Sequence, residues 1–157
     1  VTRILGIDPG SRVTGYGIID AGGGRLEFVV CGVIKTAAER SLAFRLNEIF
    51  EGLNEVIQVH QPVAAAVEEV FLATNPRSAL KLGHARGVAV VTAMQNGLAV
   101  HDYSARAVKR AVVGYGQATK EQVQHMVQVL LRLTGRPSAD AADALAVAIC
   151  HANQFQV

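Results

Sequence analysis

Four carboxylates stand out by where they fall in the chain. Asp8 ends the apolar run Ile4-Leu5-Gly6-Ile7 and is followed at once by Pro9-Gly10. Pro9 fixes its φ and Gly10 tolerates positive φ, so the chain turns directly after the acid. Glu68 follows a second apolar run, Val63-Ala64-Ala65-Ala66-Val67, with Glu69 beside it. Asp140 and Asp143 lie three apart in Ser138-Ala139-Asp140-Ala141-Ala142-Asp143. Ser138 is a good N-cap, so both acids are expected on one face of a helix's first turn, where the positive end of the helix dipole keeps them ionised. If these elements converge, two like charges ~4 Å apart repel by about 4 kcal/mol at an effective dielectric of ~20. Several such pairs stay ionised together only beside cations, and oxygen donors suit Mg²⁺ or Mn²⁺. Two such ions ~4 Å apart can activate a water, steady a leaving oxygen and clamp a phosphodiester. The expected chemistry is hydrolysis of a nucleic-acid backbone. Taken singly each acid has a plainer reading: Asp8 a turn residue, Glu68 and Glu69 exposed, Asp140 a helix-start acid.

The elements that must position these acids are legible in outline. Residues 4–8 are too short for a helix and rich in branched residues, which predicts a buried strand. Val13 to Ile19 reads as the returning strand, with Gly15 and Gly17 on one face. Two glycines there predict a floor free of side chains, open to the approach of a bulky polymer. Gly22-Gly23-Gly24 is a turn, and Leu26 to Thr36 a third, antiparallel strand. A helical pattern opens at Ser41 (Leu42, Leu46, Ile49, Leu53, Val56, Ile57), with Arg45, Glu48, Glu51 and Glu55 on the opposite face, and Pro62 stops it. Strand 63–67 follows. Pro76 to Met94 reads as a long helix whose Ala79, Gly83 and Gly87 form a smooth strip. Its segment from Gly87 to Met94 is apolar nearly all round, predicting burial on more than one side. Leu98 to Asp102 is a short strand, Ala105 to Val112 a short helix, and Thr119 caps a helix running to about Leu133. The last helix runs from Ser138 to Ile149. This order predicts an α/β fold: a five-stranded mixed sheet, three strands antiparallel and then two parallel, flanked by helices.

At 157 residues the chain is expected to form one domain, residues 1–157. Neither end reads as a signal peptide, and the apolar runs are far shorter than a membrane span. Cys31 and Cys150 lie far apart without CxxC spacing and read as free thiols in a reducing cytoplasm. The five histidines show no zinc-ligand spacing. The net charge of +2 conceals segregation: residues 77–136 carry nine Lys and Arg against only Asp102 and Glu121. An acidic spot beside a basic surface suits a polyanion held by cations while its chemistry happens among carboxylates. Solvated helix faces would look the same by charge alone.

Six stretches together resemble one family: ILGIDPGSRVTGYG (Ile4–Gly17), VEEVF (Val67–Phe71), SALKLGHARGVA (Ser78–Ala89), VKRAVVGYG (Val108–Gly116), QVQHMV (Gln122–Val127) and ADAADALAVAI (Ala139–Ile149). They span nearly the whole chain and resemble the RuvC family of bacterial Holliday-junction resolvases, nucleases with the RNase H-like fold. The resemblance implies four catalytic and metal-holding acids at Asp8, Glu68, Asp140 and Asp143, with Asp8 shared between two Mg²⁺ or Mn²⁺ ions. Glu68, not Glu69, occupies the motif position. Also implied are symmetric cutting of four-way DNA junctions during recombination and repair, a homodimer, partnership with the RuvA–RuvB branch-migration complex, and a cytoplasmic setting. Phe71 matches an aromatic that stacks on junction bases, although a lone Phe also suits a core. Lys109 and Lys120 match family lysines used for catalysis or phosphate contact. Arg77, Lys81 and Arg86, on one helix, are weaker candidates for backbone contacts. Two other classes compete. The Asp8-Pro9-Gly10 turn with Gly15 and Gly17 also looks like the phosphate hairpin of actin-like ATPases, although those use two such domains. A non-catalytic junction-binding module would keep the fold and lack the reaction.

Overall fold

The structure, a computed structural model, describes residues 1–69 and 75–155. Strands β1 (Thr2–Asp8), β2 (Val13–Gly22) and β3 (Arg25–Lys35) form an antiparallel meander. On the other side of β1 lie β4 (Ala64–Glu68) and β5 (Ala99–Tyr103), both parallel to it, in the order β3-β2-β1-β4-β5. The expected five-stranded mixed sheet is therefore present, with β1 at its centre. Ile4, Leu5 and Ile7 are fully buried, and β1 is covered on both faces. Its alternation divides the core in two. Leu5 and Ile7 face helices α1 (Leu42–His60) and α2 (Pro76–Gln95), while Ile4 faces α3 (Ala105–Val113), α4 (Lys120–Leu130) and α5 (Ala139–Gln154).

Helix starts follow local chemistry. Ser41, Ser104, Thr119 and Ser138 each accept a hydrogen bond from a backbone N–H of the first turn, and Thr119 and Gln122 form a reciprocal capping box. Helix α4 ends at Leu130, three residues before the expected Leu133. Arg132 adopts a left-handed conformation (φ 53°), and the chain leaves the helix there. Helix α5 runs to Gln154, past the expected Ile149, and is buried on nearly all sides between the sheet and helices α3 and α4. Buried His151, on α5, satisfies the Tyr103 hydroxyl of β5 through Nδ1 at 2.7 Å. Burial lowers His151 to about 4, so it stays neutral.

Two expectations about burial change. The segment from Gly87 to Met94 is not buried all round: Val91 and Met94 are 57% and 58% exposed, and only Ala85, Ala89, Thr92 and Ala93 of α2 are buried. Gly83 and Gly87, on the smooth strip of α2, face open space. Arg45, expected on the polar face of α1, is only 7% exposed.

Candidate active site

Parallel pairing of β1 with β4 delivers the first two acids together. Ile7 pairs with Val67, so the next residues, Asp8 and Glu68, leave the sheet at the same level. Both line one cavity, close enough for the Glu68 charge to act on Asp8. Glu68 is held from the other side by pairing with Tyr103, and the Glu69 N–H donates to the Tyr103 carbonyl at 2.8 Å.

The third contribution comes from α5, and glycine makes it possible. A Cβ at Gly6 would overlap the Ala144 carbonyl oxygen, one at Gly15 the Asp140 carbonyl oxygen, and one at Gly17 the Leu145 side chain. The glycine floor predicted for an approaching polymer is thus occupied by the protein's own helix. With no side chains between them, the α5 backbone rests directly on β1 and β2. This close seating brings Asp143 over Asp8 and Glu68. Asp143 lies in the second turn of α5, not the first, because the helix begins at Ala139. It is therefore held less by the helix dipole than expected.

Asp8, Glu68 and Asp143 line one cavity of about 310 Å³, with Lys109 from α3 and Lys120 from the start of α4 on its walls. Asp140 stands at the margin: half-buried, outside the cavity lining, yet close enough for its charge to act on Asp8. Burial first, then the charges of Glu68, Asp143 and Asp140, pushes Asp8 up to about 8. Burial and Asp143 likewise raise Glu68. Burial raises Asp143 too, although Lys120, 3.3 Å away, pulls it back down. Asp143 in turn raises Lys120. Among the described residues no three of these acids are drawn into a closed ligand cage. The cluster instead meets its charge by retaining a proton near Asp8 and by drawing Lys120 onto Asp143. An all-carboxylate donor set that recruits a proton and an ammonium group is one that fits hard divalent cations.

The remaining candidates divide. Lys109 and Lys120 join the acids. Arg77 and Lys81 are exposed on the first turns of α2 and do not line the cavity. Arg86 is ion-paired with Asp102 of β5 and half-buried, so it braces α2 against the sheet rather than offering a cation to DNA. Phe71 lies outside the described residues. One supporting residue escaped the sequence reading. Thr14, fully buried, donates to the Gly10 carbonyl at 2.8 Å and accepts the Gly10 N–H at 3.2 Å, closing the turn after Asp8. The available sign was a hydroxyl four residues from a turn glycine.

A three-strand meander extended by two parallel strands, with acids at the ends of β1 and β4 and on the last helix, defines the RNase H-like class of nucleases. The family model described as "Crossover junction endodeoxyribonuclease RuvC" matches residues 4–151. A protein of that name from Geobacter sulfurreducens is 60% identical over 151 residues, covering 96% of this chain and 92% of its own length. Among solved structures, T. thermophilus RuvC in complex with Holliday junction substrate superimposes with a TM-score of 0.93 at 34% identity, covering 99% of this chain and 96% of that one. The yeast mitochondrial Holliday junction resolvase Ydc2 shares the fold at a TM-score of 0.67 and 11% identity, covering 98% of this chain and 84% of that one. The chain belongs to the crossover junction endodeoxyribonuclease RuvC family.

Proposed function

We propose that this protein resolves four-way DNA junctions by hydrolysing one phosphodiester in each of two opposed strands. The observation that carries the reading is the meeting of Asp8, Glu68 and Asp143 in one cavity walled by Lys109 and Lys120. Asp8, Glu68, Asp140 and Asp143 would hold divalent cations, Mg²⁺ or Mn²⁺ and two per site. Such ions, when bound, lower the pKa of a coordinated water and polarise the phosphate. The protein's own groups do the rest. Asp8, whose carboxyl burial and neighbouring acids hold toward the protonated form, would serve a cation as an anionic donor beside Glu68. Lys109 and Lys120 bring positive charge to the scissile phosphate and its neighbours. Close seating of α5 on glycine keeps Asp143 from drifting, which preserves the alignment that an in-line attack requires.

Symmetric cutting requires two sites, and we take the working unit to be a homodimer acting with the RuvA–RuvB branch-migration complex in the cytoplasm. Exposed Phe50, Val91 and Met94 on α1 and α2 support the dimer, since such apolar residues on neighbouring helices suit a partner surface. Phe71, Arg77 and Lys81 complete the proposed DNA contacts.

A synthetic four-way junction and a linear duplex of the same sequence, each with Mg²⁺, Mn²⁺ or EDTA, test the reading. The expected result is paired nicks in the junction only, dependent on the cation and absent with Asp8→Asn, which still binds. Junction binding without product in either metal would instead identify a non-catalytic binding module. Saturable ATP binding without junction binding would identify a phosphate-hairpin ATPase.

A further inference from the structure

The turn of residues 9–14 joins Asp8 to Gly15, its cross-strand partner, and Gly15 lies under Asp140. This turn is therefore at the catalytic end of the sheet. It is held by more than its own hydrogen bonds. The Thr36 hydroxyl donates to the Ser11 carbonyl at 2.8 Å, and the Thr36 N–H to the Arg12 carbonyl at 2.9 Å. From α1, Arg45 reaches the same carbonyl of Ser11 through Nη2 at 2.8 Å and contacts the Thr36 hydroxyl through Nε at 3.3 Å. Glu48, one turn along α1, accepts the Ala37 N–H at 2.9 Å and ties down the segment carrying Thr36.

Arg45 is an unexpected residue to find there. It is 7% exposed, and among the described residues no carboxylate pairs with it. A buried guanidinium without a counter-ion is costly, whereas an apolar side chain would fill the same position without that cost. What arginine supplies is a rigid fork of donors, and it uses them on the backbone of this turn. The turn in turn carries one side-chain cation, Arg12, which is exposed and makes no side-chain hydrogen bond or ion pair among the described residues. An unengaged guanidinium on a clamped turn, four residues from Asp8, is suited to a phosphate.

We propose that Arg12 contacts a backbone phosphate of the bound DNA and that Arg45, through Ser11 and Thr36, is the positioning residue that presents it. The inference rests on the junction-nuclease reading and adds to it a contact outside the catalytic cavity. The physical content is preorganisation: a turn already fixed loses little conformational entropy when its arginine engages the strand.

Equilibrium binding of the full chain to a synthetic junction in EDTA, over a series of salt concentrations, tests the proposal. Arg12→Ala should weaken binding by about tenfold at low salt and reduce the slope of log affinity against log salt by about one per Arg12 engaged. Arg45→Met should weaken binding in the same direction, and the double variant should lose no more than the worse single variant. Multiplying losses, or an unchanged salt slope in Arg12→Ala, would overturn the proposal. Should Arg45→Met not fold, Thr36→Val and Thr36→Ser replace it: Val should weaken binding and Ser should preserve it, and equal affinities would count against the clamp. A wild-type chain that neither binds nor cuts junctions would overturn the underlying nuclease reading. One that does both, yet is indifferent to Arg12→Ala, overturns only this inference.

Discussion

Replacing Asp8 with Asn should abolish junction cleavage and also make the metal-free protein more stable at neutral pH, the reverse of what a buried substitution commonly does. Burial and three neighbouring acids raise Asp8 from its ordinary 3.8 to about 8. Between those values the folded chain keeps a proton that the unfolded chain has lost, so stability falls as pH rises through the window. At ~1.36 kcal/mol per pH unit, the stretch from 3.8 to pH 7 corresponds to about 4 kcal/mol. Asparagine is neutral throughout and escapes this loss. The advantage of Asp8→Asn should therefore be largest near neutral pH, fall by more than half by pH 5, and become small near pH 4. For a chain of 157 residues, ~1 kcal/mol moves the midpoint by roughly 3 °C, so the neutral-pH gap should reach about 5–12 °C. Thermal unfolding in EDTA from pH 4 to pH 8 measures it. Millimolar Mg²⁺ should then narrow the gap, because a ligand that binds only the folded state stabilises the chain with the complete donor set. An Asp8→Asn protein less stable than wild type at pH 7, or a gap that does not shrink toward pH 4, would refute the picture of a crowded, cation-seeking acid cluster.

Other perturbations probe the supports of the site. Gly15→Ala places a methyl group against the Asp140 carbonyl; it should cost about 1–3 kcal/mol in thermal unfolding and reduce cleavage further than that loss of folded protein accounts for. Full activity in a stable Gly15→Ala protein would mean that α5 need not seat so closely. Lys120→Ala removes the ammonium group beside Asp143 and should slow cleavage at least tenfold with little change in melting temperature, because the lysine is mostly exposed; unchanged single-turnover rates would retire its role. Ser138→Ala deletes the cap of α5 and should destabilise by about 1 kcal/mol, visible as faster hydrogen exchange in the first turn of that helix.

The acids of the site were legible because each is announced by its immediate neighbours. An apolar run that breaks into acid and turn is a strand end, which places Asp8 and Glu68. A serine before an alanine-rich run is a helix start, which places Asp140 and Asp143 on one helix. The helix starts at Ser41 and Thr119 were readable for the same reason. Strand directions also followed, since a meander that continues through helical crossovers predicts three antiparallel strands and then two parallel ones.

What the amino-acid pattern left open was decided by surfaces that meet only after folding. Gly15 and Gly17 announced a bare floor, and only packing showed that α5 fills it. Arg45 fell on the polar side of α1 by periodicity, yet it is buried where Thr36, just past β3, and the turn after Asp8 meet it. The segment from Gly87 to Met94 looked buried by hydropathy, yet its Gly87, Val91 and Met94 face outward. Arg86 looked free for a polyanion until Asp102 of β5 arrived opposite it. Periodicity reports which face of an element leaves water; the chemistry of that face depends on what stands across from it, and those partners come from tens of residues away.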